Sequence, residues 1–150
     1  MASNSLELAR LVPMFKVIPA EALRQLMRTS ELKVMPAKAP LFAAGDAATG
    51  AYLPVTASVG LGLPGAEKPD ETYGPGQLIG ELALLTPVVR MHDATVISAG
   101  EILHIPRSEF ARILEAHPQV AALISEQLKS SLRATTRDLM ALKNRFLDGS

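Results

Sequence analysis

The spacing of hydrophobic positions changes twice along the chain. Over the first 30 residues it is helical: Leu8, Leu11 and Val12 recur on one face, and Pro13 interrupts. Pro19-Ala-Glu-Ala-Leu-Arg-Gln-Leu-Met then starts a second helix, with Pro19 suited to a first helical position and Glu21 to the positive end of the dipole. From about Leu32 to Ile105 short apolar or alternating pieces replace this pattern: Leu32–Met35, Pro40–Phe42, Ala51–Val55, Val59–Leu63, Glu71–Tyr73, Gln77–Ile79, Ala94–Ser98 and Glu101–Ile105. Gly45-Asp46, Pro64-Gly65, Gly74-Pro75-Gly76 and Ala99-Gly100 separate them, and these are turn residues because Gly tolerates positive φ and Pro fixes its own. Short strands at this spacing predict a sandwich, barrel or jelly roll. Glu81-Leu-Ala-Leu-Leu breaks the rule as a helical turn or two set inside the β region.

After Pro106 the helical period returns. Ser108 is the expected N-cap, and Phe110, Ile113 and Leu114 share a face. His117-Pro118 predicts a break, because the residue before proline is pushed out of the α region. A long helix is expected from about Pro118 to Leu147. On it Leu128, Leu132, Thr135, Leu139, Leu142 and Phe146 stand 4, 3, 4, 3 and 4 apart, a heptad seam. Val120, Leu123 and Ile124 suit packing on the chain's own β region, whereas the later turns predict a homodimer through residues 128–146. The fold class is therefore α+β: a β-roll at residues 32–105, N-terminal helices at 1–30 and C-terminal helices at 106–147, as one domain spanning 1–150.

Composition narrows the function. The chain has 150 residues, 15 basic and 15 acidic, so no charge field advertises nucleic acid or an anionic membrane. Cysteine is absent, which excludes disulfides and thiolate chemistry. No apolar run approaches the roughly 20 residues of a membrane span, and MASNSLELAR is no signal peptide; the expected location is the cytoplasm. The three histidines (His92, His104, His117) are separated, which argues against a zinc site or another metal. Ser130-Ser131, Lys129, Lys143 and Arg145 read as solvated helix positions. No constellation suits an enzyme: a metal enzyme on such a roll needs clustered histidines and carboxylates on inward strands.

Gly76-Gln-Leu-Ile-Gly80-Glu81-Leu-Ala-Leu-Leu is the informative stretch. A strand ends at Gly80, which allows a tight turn and close approach of a ligand. A helix begins at once, so the free N–H groups of Glu81, Leu82 and Ala83 make an anion site. An acid at that place makes sense if the ligand also offers a hydroxyl, as a ribose does.

This stretch resembles the phosphate-binding cassette of cyclic-nucleotide-binding domains, the family of the catabolite activator protein and the protein kinase A regulatory subunit. Its motif is close to Phe/Ile-Gly-Glu-Leu-Ala-Leu, a variable loop, then Arg-x-Ala-Thr. The resemblance extends over nearly the whole chain, with Val34 to Asp46 like the first two strands and Ile105-Pro-Arg-Ser-Glu-Phe-Ala-Arg-Ile-Leu like the last strand and following helix. It implies cyclic AMP or cyclic GMP as ligand. Glu81 would accept from the ribose 2′-hydroxyl, Gly80, Leu82 and Ala83 would face the ribose and cyclic phosphate, and Thr135 and Thr136 would contact the base across the dimer. Thr135 is also the one polar residue of the seam, and a buried polar group needs a partner.

The pattern departs from the family next. Counting back from Ala94-Thr95, the phosphate-binding arginine's place holds His92, while Arg90 stands at the right distance from Glu81 for a shorter loop. Either His92 replaces arginine, or Arg90 turns in and Met91-His92 bulge. Imidazole lacks the guanidinium fork that grips phosphate. Asp93 sets a carboxylate where the family has a small residue whose amide contacts phosphate, beside Ala94. Pro54 in a strand predicts an edge or bulge, and Ala57 stands where the family has glycine. Two functions follow: a cyclic-nucleotide sensor signalling through its terminal helices, or a dimerising interaction module with lost or altered ligand binding. The chain ends at Phe146-Leu-Asp-Gly-Ser, which predicts either the sensor half of a larger regulator or channel, or a domain acting through a partner protein; direct DNA binding is not expected.

Overall fold

The computed structural model describes residues 2–127; the seam at 128–146, with Thr135 and Thr136, lies outside the described residues. Helix α1 (Ala2–Leu11) runs into a 3₁₀ turn at Pro13–Val17, and α2 (Ala20–Thr29) follows. Helix α2 buries Ala22, Leu23, Leu26 and Met27, one stripe of an amphipathic helix. Pro19 is its N-cap rather than its first helical residue, a difference of one position.

Nine strands follow among the described residues: β1 (Glu31–Met35), β2 (Pro40–Phe42), β3 (Ala47–Ala48), β4 (Gly50–Pro54), β5 (Ser58–Gly62), β6 (Glu71–Tyr73), β7 (Val88–Val89), β8 (Asp93–Ser98) and β9 (Gly100–Pro106). They form antiparallel sheets ordered β1-β9-β4, β2-β8-β5-β6 and β3-β7, the jelly-roll-like arrangement that the spacing predicts. The expected strand Gln77–Ile79 is reduced to one bridge between Ile79 and Tyr52. Gly76 and Gly80, both at positive φ, bracket it too closely for a ladder. The pair β3-β7 escaped the pattern because Ala47-Ala48 carries no β-branched side chain and Val88-Val89 is too short to show a period.

Alternation along β9 sorts two cores. Leu103 and Ile105, with Ala51 and Leu53 of β4, pack toward the helices against Phe15, Leu23, Leu26 and Phe110. Phe15 and Phe110 meet with ring centroids 5.9 Å apart. Ile102 turns the other way and joins Val59, Ile79, Ala94 and Val96 inside the roll. Each large side chain so buried contributes roughly 1.5–3 kcal/mol. Strand β4 is an edge, as Pro54 predicts. The Tyr52 N–H points away from β9 to Ile79, so the nitrogen two residues on faces the same way and costs the ladder nothing. Helix α3 (Arg107–Ala116) takes Pro106 as N-cap, two residues earlier than the expected Ser108, and buries Phe110 and Ile113. His117 breaks it, and the chain is helical again over residues 118–127.

Candidate functional site

Gly80 is left-handed, at φ 77° and ψ 45°, and leads into a 3₁₀ turn at Glu81–Leu84. Side chains with a Cβ resist that conformation, so glycine lets the chain reverse here. Within the turn the Ala83 N–H donates to the Gly80 carbonyl at 3.0 Å, while Ala83 itself is fully buried. The amides of Glu81 and Leu82 meet no acceptor among the described residues. Glu81 is exposed, and Leu82 is half-exposed. The Glu81 carboxylate lies near Tyr73, whose hydroxyl is pushed up to about 12, first by donating to Glu71 and last by the charge of Glu81.

Across from this turn stands Arg90, which is only 9% exposed. Its backbone is fixed by the turn between β2 and β3: its N–H donates to the Asp46 carbonyl and its carbonyl accepts from Gly45 N–H, both at 2.8 Å. The side chain turns into the roll. Nη2 donates to the Gly50 carbonyl at 2.7 Å, and the guanidinium carbon sits 4.3 Å from the Phe42 ring centroid and 5.6 Å from that of Tyr52. A Cβ built at Gly80 would collide with Nη1, so glycine at 80 is also what admits the arginine. Among the described residues no carboxylate pairs with this guanidinium. Burial lowers its pKa, Tyr52 and Asp46 oppose that shift, and the group stays charged.

A cavity of about 340 Å³ opens here, lined by Gly80, Leu82, Ala83, Arg90 and His92 together with Phe42, Leu61, Ile79, Val88, Val89 and Met91. His92 is half-buried on its wall, in the link Met91–His92 between Arg90 and β8. Glu81, Asp93 and Ala94 do not line it. The Asp93 carboxylate accepts the Ala44 N–H at 2.8 Å and lines a separate cavity beside Gly60, Gly62 and Thr95, so its charge faces away from Arg90. Ala94 is buried in the roll, paired with Phe42 and Leu61.

Phe42 and Tyr52 lie outside the motif that marks the site in the sequence. A signal was present: alternation sets Tyr52 on the face of β4 opposite the aliphatic Ala51 and Leu53, and the chain has only four phenylalanines and two tyrosines. Tyr52 stacks in turn on His104 at 4.9 Å. Both His104 ring nitrogens are buried without a hydrogen-bond partner, and Nδ1 lies 4.0 Å from Glu31 Oε2. Burial first, then the charge of Lys33, holds this imidazole below its ordinary pKa, against the pull of Glu31. Among the described residues no group of three His, Cys, Asp or Glu side chains could hold a metal, and no helix is long and apolar enough to cross a membrane.

The arrangement thus offers a sheltered cation, a glycine turn and apolar walls, a fit for an anion carrying a flat apolar portion. The chain is similar to the Cyclic AMP receptor protein of Thermus thermophilus, 27% identical over 130 residues that make up 85% of this chain and 60% of that one. Among solved structures it is similar to a cyclic nucleotide-binding-like protein from Brucella abortus, 33% identical at a TM-score of 0.68, over 75% of this chain and 98% of the other. The regulatory domain of Toxoplasma gondii PKA, solved with cAMP, shares the fold at 24% identity and a TM-score of 0.68, over 75% of this chain and 44% of that one. The model of the Cyclic nucleotide-binding domain matches residues 32–117, all of the roll but Glu31 together with α3, and the chain belongs to that family.

Proposed function

We propose that this chain is a regulatory sensor that binds a cyclic nucleotide, cyclic AMP or cyclic GMP, in the cavity between Gly80 and Arg90. One observation carries the reading: Arg90 is a buried guanidinium on a cavity wall, and among the described residues no carboxylate forms an ion pair with it. A desolvated charge is costly unless something compensates it, and a cyclic phosphate supplies one negative charge with acceptor oxygens for the fork. The apolar wall suits a base and sugar. Glu81, exposed next to Gly80, is assigned in this reading to accept from a ribose hydroxyl. Asp93, which accepts from Ala44 N–H and lines a different cavity, sets no carboxylate on this wall. Output through the terminal helices, with a homodimer through residues 128–146 and Thr135 and Thr136 at the base, belongs to the same proposal, as does a cytoplasmic setting.

Calorimetric titration of cyclic AMP and cyclic GMP into the wild type, Arg90→Ala and His92→Ala tests it. Removing Arg90 should cost about 2 kcal/mol or more, on the order of thirtyfold in affinity, as when one member of a buried charge pair is lost. Removing His92 should cost less than about threefold, because imidazole lacks the guanidinium fork that grips phosphate. No heat from the wild type at millimolar nucleotide would overturn the sensor reading in favour of an interaction module with a vestigial cavity.

A further inference from the structure

An arginine held inside a protein is ordinarily aimed by a carboxylate, which also neutralises it. Arg90 is aimed by different means: the rings of Phe42 and Tyr52, over both of which it lies, and a single carbonyl, that of Gly50. Tyr52 is backed by His104, its direct cross-strand neighbour on β9, and the Phe42 and Tyr52 rings are 6.0 Å apart. A π face attracts the guanidinium plane from above and takes none of its N–H groups. One of the five N–H donors goes to Gly50, and the others meet no acceptor among the described residues. We infer that Phe42 and Tyr52, with His104 behind them, are positioning residues that hold Arg90 in place while leaving its charge and its in-plane donors for the ligand.

This inference rests on the reading of Arg90 as the anion's partner, so its test has one arm that needs no nucleotide. In that arm the side-chain protons of Arg90, assigned through Arg90→Lys, are followed by NMR in wild type and Phe42→Leu. Ring currents should shift them upfield in the wild type, and Phe42→Leu should release them. Tyr52→Leu serves the same purpose if Phe42→Leu does not fold. In the second arm Phe42→Leu should weaken cyclic AMP on the order of tenfold, Phe42→Tyr should restore wild-type affinity, and the loss should vanish in an Arg90→Ala background. Arg90 protons unmoved by loss of the ring would overturn the inference, as would an equal loss of affinity in both backgrounds. A wild type that binds no cyclic nucleotide would sink the proposed function alone. The NMR arm then still decides the inference, as it does where Arg90→Ala leaves no measurable binding.

Discussion

Gly80 leaves the space that the Arg90 guanidinium fills, and a Cβ at position 80 would contest it. At φ 77° a Cβ costs roughly 1–2 kcal/mol in backbone strain, and here the same Cβ would strike Nη1 of Arg90. Gly80→Ala therefore carries two separable penalties. Urea denaturation should show a loss above about 2 kcal/mol in the wild-type background but only the backbone part, roughly 1–2 kcal/mol, once Arg90 is alanine. Equal losses in the two backgrounds would mean that the arginine does not lie against the turn. The comparison isolates a contact that affinity measurements alone blend with ligand binding.

Strand β9 carries the two cores on opposite faces, and His104 is the titrating residue on its inner face. Its pKa is lowered in the fold, so the folded protein resists a proton that the unfolded chain accepts near pH 6.5. The stability this residue contributes is present above about pH 6.5 and is lost as pH falls toward the folded value. Thermal melts stepped downward from about pH 7.5 should show a falling Tm that flattens in His104→Phe, which keeps a ring against Tyr52; an unchanged slope would place the acid sensitivity elsewhere. At this scale much of the fold was legible. Alternation in Glu101–Ile105 and the glycine and proline turns marked most strands, because both signals are local. Gln77–Ile79 misled, because two left-handed glycines so close together leave no length for a ladder. In the site, Gly80 was legible as a residue type at a spacing, whereas Arg90 and His92 stood as alternatives. Asp93 was not legible, because its direction is set by a hydrogen bond to Ala44, 49 positions away. Phe42 and Tyr52 come together only when the roll closes.

The chain spans about 60% of the length of the Thermus relative it matches, and the proposed homodimer places its assembly surface at 128–146. Leu139 sits in that heptad seam, so Leu139→Lys should convert a dimer to a monomer in sedimentation velocity, while an unchanged mass would dismiss the seam. Among the described residues it is the roll that holds Arg90. Gly45, Asp46 and Ala44 tie the stretch from Arg90 to Asp93 through three hydrogen bonds spanning more than 40 positions of sequence. Contacts so distant along the chain carry a loop-closure cost that is met only after the intervening strands have found one another. Arg90 is therefore seated by the turn that follows β2, and a change that parts β2 from β8 is expected to unseat the guanidinium from the Gly80 turn as well.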